Sequence, residues 1–254
     1  MNPWSLDGMR VVVTGAGRGI GTAIVAEFLR HGASVLGTAR TQRDLDALLA
    51  AHAHVENRLK TFRADITQPN EREHLIERAK LSFGGLDVLV NNAGGTFRAP
   101  AMESSTADFQ RLLELNVFAA FELAKLAHPL LKASTHGSIV NISSITSQVA
   151  LPNRVLYGTS KAALDHLTRA LAVEWGADRI RVNAVLPWFT RTPMTAKILE
   201  DPEWSERILR ATPLGRVADP EDVARATAFL AMPAAGFITG QLLSVDGGFL
   251  AKGL

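Results

Sequence analysis

Cysteine is absent from all 254 residues. That removes disulfides, thiolate nucleophiles and zinc–sulfur sites, and it fits a reducing compartment. A large charge imbalance is missing too. Lys and Arg number 27 against 25 Asp and Glu, for a formal charge of +2, too little for an electrostatic hold on nucleic acid or an acidic membrane surface. Apolar runs break well short of the ~20 residues that span a bilayer. The start, MNPWSLDGMR, has no apolar stretch of the signal-peptide kind. These absences predict a soluble, cytoplasmic protein with no membrane or nucleic-acid partner. The seven histidines are scattered. His52 and His54, the one close pair, do not share a helix face at i, i+2 spacing, so no metal site is expected. Tyrosine occurs once, at position 157.

What is present is an ordinary core-forming composition, 47% hydrophobic and 20% charged. It is arranged as strands alternating with helices. Short β-branched or apolar runs are read as strands at 10–13, 33–38, 59–64, 86–90, 138–143, 180–185 and 241–245. Helical periodicity is read at 20–31, 42–51, 70–82, 107–131, 156–175 and 221–231. The Pro- and Trp-containing stretch 187–213 is irregular with a helix inside it, and is expected to form a substrate lid. The alternation predicts a single α/β domain over 1–254, a doubly wound parallel sheet with helices on both faces. In such sheets ligands bind beyond the carboxyl ends of the strands, where strand order reverses.

The first strand-following turn is TGAGRGIG, Thr14 to Gly21. Gly15, Gly19 and Gly21 allow tight backbone angles and close approach of a pyrophosphate. The helix opening near Ile20 aims free N–H groups at phosphate oxygens. Between a strand and a helix, this pattern favours a dinucleotide over a bare glycine turn. The second strand ends Ala39-Arg40-Thr41, with no carboxylate to hold NAD ribose hydroxyls before Asp44. Arg40, and Arg18 inside the glycine turn, can clasp a 2′-phosphate. The pair favours NADP(H), unless both are plain solvated arginines. Asp65, ending the third strand, either accepts from the adenine amino group or caps a turn.

Tyr157 precedes Lys161 by four residues in YGTSK, so both project from one helix face. An adjacent ammonium favours the phenolate and would lower a pKa that is otherwise near ~10. Ser143 and Ser144 end a strand thirteen or so residues upstream. They are either turn serines or a hydroxyl donor to a substrate oxygen. Asn116 lies inside an apolar helical stretch. If buried it needs partners, as a cap on a neighbouring segment or as the anchor of a water path. Phe97, Trp188 and Trp204 form either a substrate wall or ordinary core.

With these residues in hand, the chain resembles the short-chain dehydrogenase/reductase family from about Gly8 to Gly248, leaning towards its tropinone-reductase-like members. The matching pieces are TGAGRGIG, NNAG at Asn91 to Gly94, Asn116, NISS ending at Ser144, YGTSK, RVNAVLP ending at Pro187, and VDGG at Val245 to Gly248. The resemblance implies a Rossmann-like fold and a reductase or dehydrogenase acting on a small carbonyl or alcohol with NADP(H). It implies a catalytic set of Ser144, Tyr157, Lys161 and Asn116. Asn91, Ala93 and Gly94 would line the cofactor's adenosine-ribose side and support the central strand, with the Pro187 main chain and Thr192 holding the nicotinamide. It also implies a homotetramer or homodimer. One departure is Trp188, where the family has glycine; its indole is expected over the substrate or nicotinamide. Two rival readings are a 3-oxoacyl-thioester reductase or sugar or steroid alcohol dehydrogenase of the same family, and a non-catalytic nucleotide-binding regulator.

Overall fold

Seven parallel strands lie side by side in the order β3-β2-β1-β4-β5-β6-β7 in the computed structural model, which describes residues 2–55 and 57–252. They are β1 (Arg10–Thr14), β2 (Ser34–Ala39), β3 (Leu59–Arg63), β4 (Val88–Asn91), β5 (Ser138–Ile142), β6 (Arg181–Pro187) and β7 (Leu242–Val245). The crossovers are α1 (Ile20–Arg30), α2 (Gln42–Ala51), α3 (Pro69–Phe83), α4 (Thr106–Leu113), α5 (Ala119–Ala133), α6 (Val155–Glu174), α7 (Ala196–Leu199), α8 (Pro202–Ala211) and α9 (Pro220–Ala231). This is the Rossmann-like doubly wound architecture the alternation predicts.

Both faces of the sheet are covered, which is why its central strands read as continuous apolar runs. Along them the side chains alternate between two cores. Val11, Val13, Val88, Val90, Val140 and Ile142 pack with α1 and α9. Val12, Leu89, Ile139 and Val182 pack with α3, α5 and α6. Fully buried Phe28 and Ile24 anchor α1, each worth about 2 kcal/mol of burial. Among the described residues, no helix is long and apolar enough to cross a membrane.

Two elements differ from the sequence reading. The helix read over 107–131 is interrupted: a π-helical turn at Glu114–Phe118 separates α4 from α5. The strand read over 180–185 runs on to Pro187, because Pro187 pairs with Val245 of β7. Strand order reverses between β1 and β4, and the carboxyl ends of those two strands open a cleft. Thr14 ties its lips together. Its Oγ1 accepts from the backbone N–H of Asn92 and of Ala93, each at 3.0 Å.

Candidate active site

The cleft has a volume of about 450 Å³ and runs along the carboxyl edge of the sheet. One end is made by the glycine turn. Gly15 and Gly19 have φ of +64° and +60°, which side chains rarely adopt. A Cβ on Gly15 would lie 2.8 Å from Ala93 Cα, and one on Gly21 would lie 2.0 Å from the Gly15 carbonyl oxygen. The turn can close on itself and on the β4 loop only without side chains. Helix α1 starts at Ile20, and Gly19 before it gives no side-chain cap; its first turn has no acidic residue. Its free N–H groups and positive dipole end therefore suit phosphate oxygens. The cradle fits a dinucleotide.

Arg18, Ile20, Arg40, Asp65, Ala93, Gly94, Pro187 and Thr192 all line this cleft. Arg18 and Arg40 are exposed, and neither makes an ion pair among the described residues. Of the two roles foreseen for Asp65, the structure shows the turn cap. The residue borders the cleft, while its Oδ1 accepts from the N–H and hydroxyl of Thr67 at 3.0 and 2.8 Å. Thr192 crosses over the glycine turn, its Cβ 3.3 Å from where a Gly19 Cβ would stand.

Asn91 does not line the cleft. Its position in β4 turns the side chain into the sheet's α5/α6 face, where Nδ2 donates to Asn141 Oδ1 at 2.9 Å. Asn141 in turn donates to Thr168 of α6 at 2.9 Å. This polar ladder fixes α6 against the sheet. Facing the cleft instead is Asn92, which the sequence reading passed over. Its Nδ2 donates to the Thr14 and Gly15 carbonyls at 2.9 and 3.1 Å. The signal was the doubled asparagine itself, since alternation along a strand sends neighbours to opposite sides.

At the other end stand Ser144, Tyr157 and Lys161. Lys161 is buried and its Nζ donates to the Ile142 carbonyl, at the end of β5, at 2.8 Å. Burial pulls its pKa down to about 8, against a smaller upward pull from Asp165. Tyr157 lies one turn earlier, its ring centre 6.0 Å from the ammonium. Burial pushes the phenol pKa up, and the Ser144 hydroxyl and the Arg154 charge draw it back only in part. The sequence reading assigned a downward pull to Lys161. In this structure that ammonium is taken up by the Ile142 carbonyl, and desolvation governs the phenol. Ser144 Oγ accepts from the N–H and hydroxyl of Thr146 at 3.3 and 2.9 Å, so its own proton is free to donate. Gly158 lets α6 come this close: a Cβ there would meet the Thr146 carbonyl at 2.9 Å.

Asn116 lies behind the cleft wall, 1% exposed, in the π-helical turn. Its Oδ1 accepts from Gly95 N–H at 2.9 Å, and its Nδ2 donates to the Gly95 carbonyl at 3.1 Å and to Ser160 Oγ at 3.0 Å. Of the two roles foreseen for it, this is the tie to a neighbouring segment. It joins the β4 loop to YGTSK.

Trp188 is held by its neighbours. The indole stacks on Phe249 at 3.9 Å between ring centres and donates to Thr212 Oγ1 at 3.0 Å, so it forms a wall shared by the cleft and a smaller side cavity. Trp204 lines only that side cavity, and Phe97 lines neither. No cluster of metal-ligating side chains occurs among the described residues.

A family profile described as enoyl-(acyl carrier protein) reductase matches residues 15–250. A tropinone reductase homolog of Arabidopsis thaliana is 43% identical over 251 residues, covering 98% of this chain and 95% of its own. This chain belongs to the short-chain dehydrogenase/reductase family. Solved relatives of the family superpose closely. A 7α-hydroxysteroid dehydrogenase complexed with NADH and 7-oxo glycochenodeoxycholic acid gives a TM-score of 0.93 at 36% identity, covering 97% of this chain and 96% of that one. A gluconate 5-dehydrogenase from Burkholderia cenocepacia, in complex with NADP and tartrate, gives 0.94 at 28% identity, covering 99% of each. As a short-chain dehydrogenase/reductase the protein is an oxidoreductase acting on CH–OH and C=O groups of small molecules with a nicotinamide cofactor.

Proposed function

We propose that this oxidoreductase uses NADP(H) to reduce a small ketone or other carbonyl to an alcohol, or runs the reverse, with Tyr157 as proton donor, and works as a homotetramer or homodimer. One observation carries the reading: Ser144, Tyr157 and Lys161 share a single cleft with a glycine cradle built for a dinucleotide. The NADP in the gluconate 5-dehydrogenase structure supports the cofactor choice, as do the two unpaired arginines at the adenosine end.

A bound nicotinamide would supply the hydride, which no side chain can. The protein's part is geometry and proton handling. Ser144 donates its free O–H to the carbonyl oxygen, holding it beside the tyrosine. Tyr157, kept neutral by burial, delivers the phenolic proton to that oxygen. Lys161 would fix the ribose with the N–H groups not used on Ile142, and its ammonium would stabilise the phenolate left behind. Asn116 sets the β4 loop and α6 in register and acts as a positioning residue. Pro187 and Thr192 would hold the carboxamide, while Arg40 and Arg18 would take the 2′-phosphate.

Fluorescence titration tests the cofactor assignment. NADPH is expected to bind more tightly than NADH, with Arg40→Ala narrowing the difference. Equal dissociation constants in the parent protein would discard it.

A further inference from the structure

A second cavity, of about 180 Å³, opens beside the catalytic end of the cleft. Leu151, Arg154, Trp188 and Phe189 face both spaces. Helix α8 closes its far side with Trp204, Arg207 and Ile208. The walls are aliphatic and aromatic apart from three guanidinium groups, those of Arg98, Arg154 and Arg207, and no carboxylate lines them.

The placement of Arg98 and Arg154 is not explained by ion pairing among the described residues. Arg154 Cζ stands 5.9 Å from the centre of the Tyr157 ring. Its hydrogen bond goes to a neutral partner, the Thr96 hydroxyl. Burial lowers its pKa, and the Arg98 charge lowers it further. Arg98 Cζ lies 5.2 Å from the Trp204 ring centre and makes no ion pair among the described residues. Only Arg207 faces an acid, Glu203 at 3.7 Å, across exposed surface. Two like charges facing one apolar space oppose each other, and an anion bound between them relieves that cost.

We propose that the substrate carries a carboxylate, held by Arg154 and Arg98, on an apolar body seated against Leu151, Trp188 and Phe249. The reacting carbonyl then reaches Tyr157, whose ring centre lies 5.9 Å from Arg154 Cζ. This inference rests on the ketone-reductase reading above and names the substrate class of that site. A ketone bearing a protonated amine meets like charge in the same place and is disfavoured.

Matched ketones test it. With saturating NADPH, kcat/KM is measured for 4-oxo-4-phenylbutanoate, its methyl ester, and a dimethylamino ketone of similar size. The acid is expected to exceed the ester by about tenfold or more, the scale of one charge-assisted hydrogen bond, with the amine below the ester. Arg154→Gln and Arg98→Gln should each shrink the acid-to-ester ratio. Arg98 is exposed, so its variant keeps the test usable if the Arg154 variant fails to fold. Calorimetry of 2-naphthoate against its neutral amide on the NADPH-loaded enzyme reads the same site without turnover. Naphthoate binding that is lost in Arg98→Gln supports the proposal. Equal handling of acid and ester, together with equal binding of naphthoate and amide, overturns it and leaves the reductase reading standing if the ester is reduced. Selective naphthoate binding with no ketone reduced would instead overturn the reductase reading and keep the anion site.

Discussion

At Lys161, burial and function pull in opposite directions. A buried ammonium is costly, and among the described residues this one has one neutral acceptor, the Ile142 carbonyl, with Asp165 supplying some opposing charge. The unfolded chain titrates this lysine near 10.5, the folded one near 8. Between those values the unfolded state binds the extra proton, so stability rises as pH climbs through the window. Lys161→Met lacks the effect. Wild-type stability relative to that variant should therefore rise by about 3 kcal/mol between pH 8 and 10.5. Denaturant unfolding at both pH values checks this; a difference that does not change with pH contradicts it. Tyr157 and Lys161 were legible in the sequence because i, i+4 spacing on a helix needs no tertiary knowledge. The sharing of roles between Asn91 and Asn92 was not. Which asparagine points into the sheet depends on where β4 begins, and a shift of one residue exchanges them.

Between α4 and α5, the π-helical turn sets the level of the Asn116 carboxamide against Gly95 and Ser160. One wide turn in 28 residues of apolar helix barely disturbs the periodicity, which is why the sequence reads as unbroken. Such turns often mark functional sites, and this one ties the loop at Gly95 to Ser160 of α6. Asn116→Ala leaves Gly95 N–H and carbonyl without their partner. It should cost about 2 kcal/mol of stability and lower kcat more than it raises KM, by unfolding curves and steady-state kinetics. Unchanged values for both would remove Asn116 from the positioning role. At the start of α6, Gly158→Ala gains up to about 1 kcal/mol in helix propensity. It also places a Cβ 2.9 Å from the Thr146 carbonyl. The expected outcome is a net loss of stability and of activity, because the backbone of the Ser144 turn must move. A more stable, fully active Gly158→Ala protein would contradict the close packing argued here. Of the side cavity, the sequence offered Trp188 and Trp204 as wall candidates but not the cations, since Arg98, Arg154 and Arg207 come from three separate segments.

Across the whole molecule, the strand order puts every cleft residue at one edge of the sheet, and alternation of strands and helices was enough to foresee that. The opposite matter, what covers the outer faces of α6 and of the π-helical turn before α5, shows as exposed apolar side chains: Phe118 is 50% exposed, Val155 53% and Val173 85%. Such surface suits pairing with a second copy. Light scattering should return a dimer or tetramer of the 27.4 kDa chain, with Val173→Glu shifting it towards smaller species; a monomeric parent would contradict the assembly. The measurement that bears most directly on the account is turnover by Tyr157→Phe with NADPH and a reducible ketone. This substitution removes one hydroxyl and leaves the ring. Unchanged NADPH binding with a fall in kcat of at least ~10²-fold is predicted. A kcat within a few-fold of the parent would show that the proton comes from elsewhere.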